Sequence, residues 1–479
     1  MSCFGGLLNE YKYLSIDRFD GENLSSWAYF LSHCHTDHMV GLGDESFHEH
    51  LKSNESVFLY CSEVSRALLL ADDRYYHLAN NIIALPINYP KVIDIKINGN
   101  DLKSITITLL PASHCPGSVM FLFEGEEGNV LYTGDFRFSK GSGHRMKCLH
   151  TSNGTKKHIK SMYADTTFCI PDAIFIPSRE DCLKRLELVV AEWLTKDDLH
   201  AVRLNISAKY GYEYLFHALH NKFKTKIYCK RKNLYQCLPE THKILTDNPE
   251  HAKIFACFKK ERINKPQQWN MKEADEEDLE KKTRKKFLTL TLSTLYFTYS
   301  AKPHEVCHQV GKNHFRFCFS FHSSNSEVCD FVKYVNPDNI YANVIPRGGM
   351  TLKEVEDELS ANCLMNVKDK ISFKSFGNLK KSEFTMNKLS TSSQIKPRKR
   401  ALSLSSTDDD SQELWKEFAK NYSKKITTES NNEEQSYSDA QINNNDDFNI
   451  SCSPEGKVPL SNEIDDLHLK IALNSGLPP

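Results

Sequence analysis

The sequence predicts an α/β protein, on three observations. Short runs of β-branched and aromatic residues, bounded by Gly, Pro or Asp, fill the first third. Helix-spaced and strand-like segments then alternate through the middle. Near residue 380 the composition shifts to Ser, Asn, Asp, Glu and Lys. The early strands are AYFLSH, SVFLYCS, SITITLLPA, SVMFLFEG and NVLYTGDF. In the middle, LKRLELVVAEWL and YEYLFHALHNKF have helical spacing, and HAVRLNIS reads as a strand between them. Residues 258–286 are almost all charged or polar, as expected of an exposed helix or a mobile insertion. FRFCFSFH and NIYANVIP return to strand character, and Ser324 with Glu327 fits a capping box that opens a helix between them. Residues 380–479 carry too few buried-type side chains to offset their ordering entropy and are expected to form a disordered regulatory tail.

Bulk properties narrow the function classes. A length of 479 residues fits two to four domains. Net charge is −1, so any hold on nucleic acid must come from a local basic surface. The 15 cysteines are scattered singly, with no CxxC pair, which reads as reduced intracellular thiols. The start, MSCFGGLLNEYKYL, lacks a basic stretch followed by an apolar core, so no signal peptide is expected. No apolar run approaches the roughly 18–20 residues of a membrane helix, and no membrane association is expected.

The chemistry concentrates in His33, His35, Asp37 and His38, the HxHxDH stretch directly after AYFLS. Neutral imidazoles and carboxylates at a strand end suit Zn²⁺, and the clustering fits one ion or two sharing a site. His33 and His35 would hold one ion; Asp37 and His38 would hold another or a bound water. His114 in SHCPGS and Asp135 in YTGDF follow further apolar runs, where a sheet can aim them, and Asp135 could bridge two ions. Gly134 would let the backbone pack closely there. Cys34 and Cys115 stand beside these residues and are expected to pack behind the site. A single histidine in so long a chain is usually a surface or core residue. Neighbouring histidines gathered after a strand have little structural reason to be there.

In order, HCHTDH, SHCPGS and TGDF resemble the motifs of the metallo-β-lactamase superfamily. That resemblance implies an αββα sandwich with metals at one edge of two packed sheets. YADTTF with Asp165, FSFHSS with His322 and YANVIP with Val344 resemble the three later motifs of its β-CASP nucleases, which carry a second α/β domain inserted into the first. The similarity covers roughly residues 1–370. It implies a metallo-β-lactamase domain at 1–155, an inserted β-CASP domain at 156–314, a return to the first domain at 315–370 and the tail from 380. Val344, where RNA-processing members carry His, resembles the DNA-processing branch.

The resemblance assigns His33, His35, His114 and Asp135 to a first metal, and Asp37, His38, His322 and Asp135 to a second. The ions would be Zn²⁺, one or two, with Mg²⁺ or Mn²⁺ serving in activity. Asp165 would orient a ligand histidine; a turn cap is the plainer alternative. Asp37 would orient the attacking water and take its proton. Ser320 matches a serine near the scissile phosphate. Gly211-Tyr212-Glu213 departs from the Gly-Lys-Glu of the exonucleases, and Lys209 just before it is either a phosphate contact or a solvated lysine. Cys257 alone resembles a structural zinc set of the inserted domain, because Tyr228 and Phe255 stand where imidazoles are expected.

In the tail, Lys396, Arg398, Lys399 and Arg400 form a basic cluster that is a nuclear localisation signal, a DNA-contacting patch or a solubilising run. LSLSSTDDD offers phosphorylation sites. Trp415 and Phe418 are a docking helix or a chance pair. The implied activity is structure-selective DNA cleavage: an endonuclease on hairpins, overhangs and single-strand/duplex junctions, with 5′–3′ exonuclease action beside it. The implied setting is double-strand-break end joining in the nucleus, with DNA-dependent protein kinase and the end-joining ligase complex as partners. An RNA endonuclease of the same fold, a small-molecule metallo-hydrolase and a catalytically dead scaffold are the alternatives.

Overall fold

The computed structural model describes residues 2–97, 101–258, 283–298, 305–346 and 350–363. The Lys396–Arg400 cluster, the tail serines and Trp415 with Phe418 lie outside them, as does most of the charged stretch 258–286.

Four strands, β1 (Leu14–Ile16), β2 (Ala28–Phe30), β3 (Leu59–Ser62) and β4 (Ile82–Leu85), form a parallel sheet in chain order. A second sheet begins with β5 (Lys91–Ile97), β6 (Asp101–Pro111), β7 (Val119–Gly125) and β8 (Gly128–Tyr132), an antiparallel meander. It continues in parallel through β9 (Ser161–Ala164). Strand alternation fixes the layers. Val119, Phe121 and Phe123 of β7 join a core with Leu14, Ala28 and Phe30, so this face packs on the first sheet. Met120 and Leu122 point the other way into a second core.

That second core is closed by two late helices, Asn325–Val335 and Leu352–Cys363, through Val328, Phe331, Val332, Val355 and Leu359. The outer face of the first sheet is covered by α1 (Glu45–Ser53) and α2 (Glu63–Leu70), where Tyr29, Leu31 and Leu59 meet Phe47, Leu51, Val64 and Leu68. Helices, two sheets and helices again make the expected αββα sandwich.

The third sheet has seven strands. β10 (His200–Ile206), β11 (Lys226–Cys229), β12 (Leu245–Thr246), β13 (Ala252–Phe258), β14 (Lys286–Leu292), β15 (Cys307–Gly311) and β16 (His314–Phe317) lie in the order β12-β11-β13-β10-β14-β16-β15. Only the β15–β16 pair is antiparallel. Leu186 and Val190 of α3 (Arg179–Leu194) and Leu215 and Leu219 of α4 (Glu213–Phe223) bury one face. The chain then returns: β17 (Asn339–Ala342) pairs with β9 and completes six strands of the second sheet.

Two details differ from the sequence reading. Sheet membership changes between Ala164 and His200 and again between Phe317 and Asn339, not at 156 and 314. In FRFCFSFH only the first part is strand; beyond Phe317 the chain leaves the sheet, and Ser320 and His322 bond within their own loop. The helix after that loop starts as expected, with the Ser324 N–H donating to the Glu327 carboxylate at 2.7 Å.

Candidate metal centre

The centre gathers where strand ends of the sandwich meet loops from the third sheet. β2 ends at Phe30, and the chain turns so that His33, His35 and His38 fall on one side. Asp17, left-handed at φ 55°, anchors this turn. Its carboxylate accepts the Ser32 N–H and hydroxyl, each at 2.6 Å, the Tyr132 hydroxyl at 2.8 Å and His38 Nδ1 at 2.8 Å. His33 Nδ1 lies 3.0 Å from the Ser32 hydroxyl oxygen, whose proton is already committed to Asp17, so Nδ1 donates and Nε2 presents a lone pair. Asp135 follows Gly134, which has φ 53° and lies so close to Ser32 that a Cβ would meet its hydroxyl at 2.8 Å.

The other nitrogens are aimed by carbonyls. His114 Nδ1 donates to the Phe321 carbonyl at 2.9 Å, and His35 Nε2 donates to the Tyr210 carbonyl at 3.1 Å. His114 Nε2 and His35 Nδ1 therefore face each other as two lone pairs only 3.0 Å apart. Two such lone pairs repel unless a cation stands between or beside them. Ligands about 2.0 Å from one tetrahedral ion are spaced by roughly 3.3 Å, close to this arrangement. The buried Nε2 atom of His33 has no hydrogen-bond partner, His38 Nε2 faces Asp135 Oδ1 at 3.3 Å, and Asp135 Oδ2 lies 3.7 Å from His33 Nε2 and 3.5 Å from His114 Nε2. An orphaned nitrogen, opposed lone pairs and a shared carboxylate fit a divalent cation.

The electrostatics agree. Burial, then the neighbouring imidazoles, pushes His33 well below the ordinary imidazole range. Burial does the same for His114 and lowers His35. These three rings are neutral donors at neutral pH. Burial also opposes charge on His38, but the carboxylates of Asp135 and Asp17 outweigh it and raise that ring well above the usual value. Burial disfavours ionised Asp135, yet His38, His322 and His114 hold its carboxyl well below the usual range.

The residues expected of a first ion lie together as one group, and only the second group differs from the expected set. Donor atoms of His33, His35, His114 and Asp135 lie within 4.8 Å of one another, and so do those of Asp135, Asp165 and His322. Asp37 and His38 stand beside these groups. His38 is held between Asp17 and Asp135, and an Asp37 oxygen accepts the Ser2 N–H at 3.3 Å. Asp165 contacts His322 Nδ1 at 2.8 Å and also accepts the Thr167 N–H and hydroxyl, so it both orients the ring and caps its own turn. Cys34 and Cys115 are buried in the core behind the centre.

A cavity of about 230 Å³ opens onto the centre, lined by Ser2, His35, Asp37, His114, Asp135, Thr167, Phe321, His322 and Val344 together with Ser207 and Ala208 of the inserted sheet's loop. Ser320 does not reach it. The Ser320 side chain is buried, and its hydroxyl donates to the His322 carbonyl at 2.8 Å; it shapes the His322 loop instead of meeting substrate. Lys209 is half-buried and outside the lining, and its carbonyl accepts the Tyr235 hydroxyl. Tyr228 and Phe255 pack ring to ring at 5.0 Å beside Cys257, an aromatic patch that does not fit a zinc set.

Several supporting residues escaped the sequence reading. Arg137 donates to the His322 carbonyl at 2.8 Å, and Arg179 to the Ser320 and Ser113 carbonyls at 3.0 and 2.8 Å. Together with Asp17 they fix the loops that carry the ligands. Nothing in the sequence around Asp17 marks it as an acceptor of four bonds.

Residues 239–348 match the family described as DNA repair metallo-β-lactamase. The chain is similar to protein artemis of Rattus norvegicus, 42% identical over 386 residues, which covers 80% of this chain and 54% of that one. For protein artemis of Homo sapiens the figures are 40%, 80% and 55%. The 5′ exonuclease Apollo of Gallus gallus is 31% identical over 350 residues, 72% of this chain and 63% of that one. The chain thus spans little more than half the length of the artemis proteins it matches. An αββα sandwich, an inserted seven-stranded sheet and a histidine–aspartate centre between them make this a metallo-β-lactamase/β-CASP fold, similar over most of the chain to the artemis proteins and matching the DNA repair metallo-β-lactamase family over residues 239–348.

Proposed function

We propose that this protein is a metal-dependent, structure-selective DNA nuclease, cutting hairpins, overhangs and single-strand/duplex junctions, with 5′–3′ exonuclease action beside it. The observation that carries the proposal is the cleft itself: a buried donor set forms one side, and a loop of the inserted sheet forms the other. A cleft between two halves admits a strand or a strained end and excludes a long rigid duplex, so recognition is of shape and phosphate, not base sequence.

His33, His35, His114 and Asp135 would hold the first cation; Asp135 and His322, with Asp37 in the cavity lining and His38 buried beside Asp135, would serve a second. Zn²⁺ is the ion this donor set suits best, with Mg²⁺ or Mn²⁺ as alternatives in activity. A bound divalent cation supplies charge neutralisation at the phosphate and an acidified water. Asp37, in the cavity lining, would orient the attacking water and take its proton. Asp165 holds His322 in one orientation. The inserted-sheet wall, at Ser207 and Ala208, keeps the phosphodiester in line.

Val344 at the cleft edge, where the RNA-processing relatives of this fold carry His, supports DNA as the substrate. The similarity to proteins named artemis supports a place in nuclear double-strand-break end joining, with DNA-dependent protein kinase and the end-joining ligase complex as partners. The test gives the full chain and its Asp37→Asn variant end-labelled hairpin DNA, overhang DNA and matched RNA. Internal cuts in DNA that need a divalent metal and vanish in the variant are the expected result. Mononucleotides released only from 5′-phosphate ends make it an exonuclease, and cleavage of RNA alone overturns the DNA assignment.

A further inference from the structure

A chain of net charge −1 that grips DNA needs its cations in one place. Between the two centre aspartates, Asp135 and Asp165, residues 136–164 hold seven Lys or Arg and no Asp or Glu. A basic run is commonly just a solvated face, but this one is folded against a single support. The late helix Asn325–Val335 begins beside His322 and runs 11 residues, about 16 Å. The segment follows it end to end. The Phe138 N–H donates to the Ser323 hydroxyl next to His322, and the Gly141 N–H donates to Asp330 at 2.7 Å, midway.

At the far end three basic side chains meet Tyr334. The His144 ring lies 4.2 Å from its ring, the Lys156 ammonium 5.0 Å above it, and His150 Nε2 bonds its hydroxyl at 2.6 Å. Gly143 sits so close that a Cβ would strike the Tyr334 ring at 2.3 Å. Lys140, His144, Arg145, Lys147 and Lys156 are all exposed, joined by Lys333 of the helix. Of the acids nearby, Glu124 pairs with Lys157, Glu327 with Arg137 and Asp338 with His158, and Asp330 is held by the Gly141 N–H. Lys140, Lys147 and Lys156 make no ion pair with a carboxylate among the described residues.

We infer that this ledge, residues 140–156 laid along the Asn325–Val335 helix, is the docking surface for the duplex arm of the DNA, binding its phosphate backbone. It rests on the proposed nuclease function and adds where the uncut duplex lies: outside the cleft, leading away from His322 for about 16 Å, or four to five base-pair steps. A single-stranded end enters the cleft while the duplex behind it rides on the ledge. The surface reads no sequence, since phosphate contacts position without specifying.

The test is anisotropy of a labelled blunt duplex with the full chain and its Lys140→Glu/Lys147→Glu/Lys156→Glu variant, titrated across a salt series. Wild type binds with a steep salt dependence. The variant is expected to bind at least about 10-fold more weakly, with the log–log salt slope reduced by about three. A triple Gln variant, expected to show a smaller loss in the same direction, guards against misfolding by charge reversal. Unchanged affinity and slope in both variants overturn the proposal. So does competition by poly-glutamate as effective as by duplex of equal charge, which assigns the ledge to an acidic protein segment. Cleavage of the same duplex with an overhang is read separately: binding that needs the ledge, without any cutting, defeats the nuclease reading and leaves the ledge standing.

Discussion

The His33 group and the His322 group share Asp135 yet are held in different ways. In the first, each histidine is aimed by a neutral acceptor: the Ser32 hydroxyl, the Tyr210 carbonyl and the Phe321 carbonyl. Its rings are pushed toward neutrality, ready to donate lone pairs. In the second, His322 leans on the Asp165 carboxylate, its side chain is 21% exposed, and its ring is raised above the usual value because Asp165 and Asp135 outweigh its burial. The first group presents lone pairs to a cation. The second favours a proton more, so any cation it takes would have to compete with that proton, the more so as pH drops.

The sharpest way to separate the two is at the cleft surface. Asp37→Asn is expected to lower DNA cleavage by about 10²–10⁴-fold while the first-group cation stays bound, read by single-turnover cleavage beside metal analysis. Loss of both cations together would merge the two groups into one. Asp165→Asn comes next: it should weaken the second cation, and with it activity, by about 10–100-fold, and excess metal should restore most of the rate. A variant that excess metal cannot rescue would make Asp165 a fold residue only.

Smaller effects probe whether the inserted half supports the first group. Gly211 has φ 115°, and a Cβ there would meet the Phe321 ring at 2.8 Å. Gly211→Ala is expected to cost about 1–3 kcal/mol and to disturb the Phe321 carbonyl that aims His114, seen as a lower Tm and a looser first cation. Glu213, two residues on, accepts the Gly211 N–H at 2.6 Å, and burial pushes its carboxyl up to about 7. The native chain thus keeps a proton that the unfolded chain has released. That contribution is full below the ordinary Glu value and is lost as pH rises through about 7. Glu213→Gln should flatten the decline of thermal stability between pH 5 and 7, by on the order of 3 kcal/mol. Parallel melting curves for the two proteins across that range would refute it.

Much of this was legible in the chain. The three ligand loops announce themselves because each follows an apolar strand, whereas β7, apolar at every position from Val119 to Phe123, did not show which side chains face which sheet. What stayed hidden was set at long range. Asp17 becomes an acceptor of four bonds only once Ser32, His38 and Tyr132 converge on it. Ser320 looked like a substrate contact because motif position says nothing of which way a loop hydroxyl turns; here it turns inward to the His322 carbonyl. The change of sheet lies later than 156 because β9 pairs with β8 and β17, a pairing made across long stretches of chain.

The bond from His35 to the Tyr210 carbonyl carries one more implication. Its acceptor is main chain, so no side-chain replacement at position 210 can delete it; only moving the loop can. The inserted segment is therefore not an accessory that could be trimmed to leave a smaller working hydrolase. A minimised protein lacking it would leave one imidazole free to spin, and any redesign that swaps this insertion for another must return a carbonyl to the same point in space.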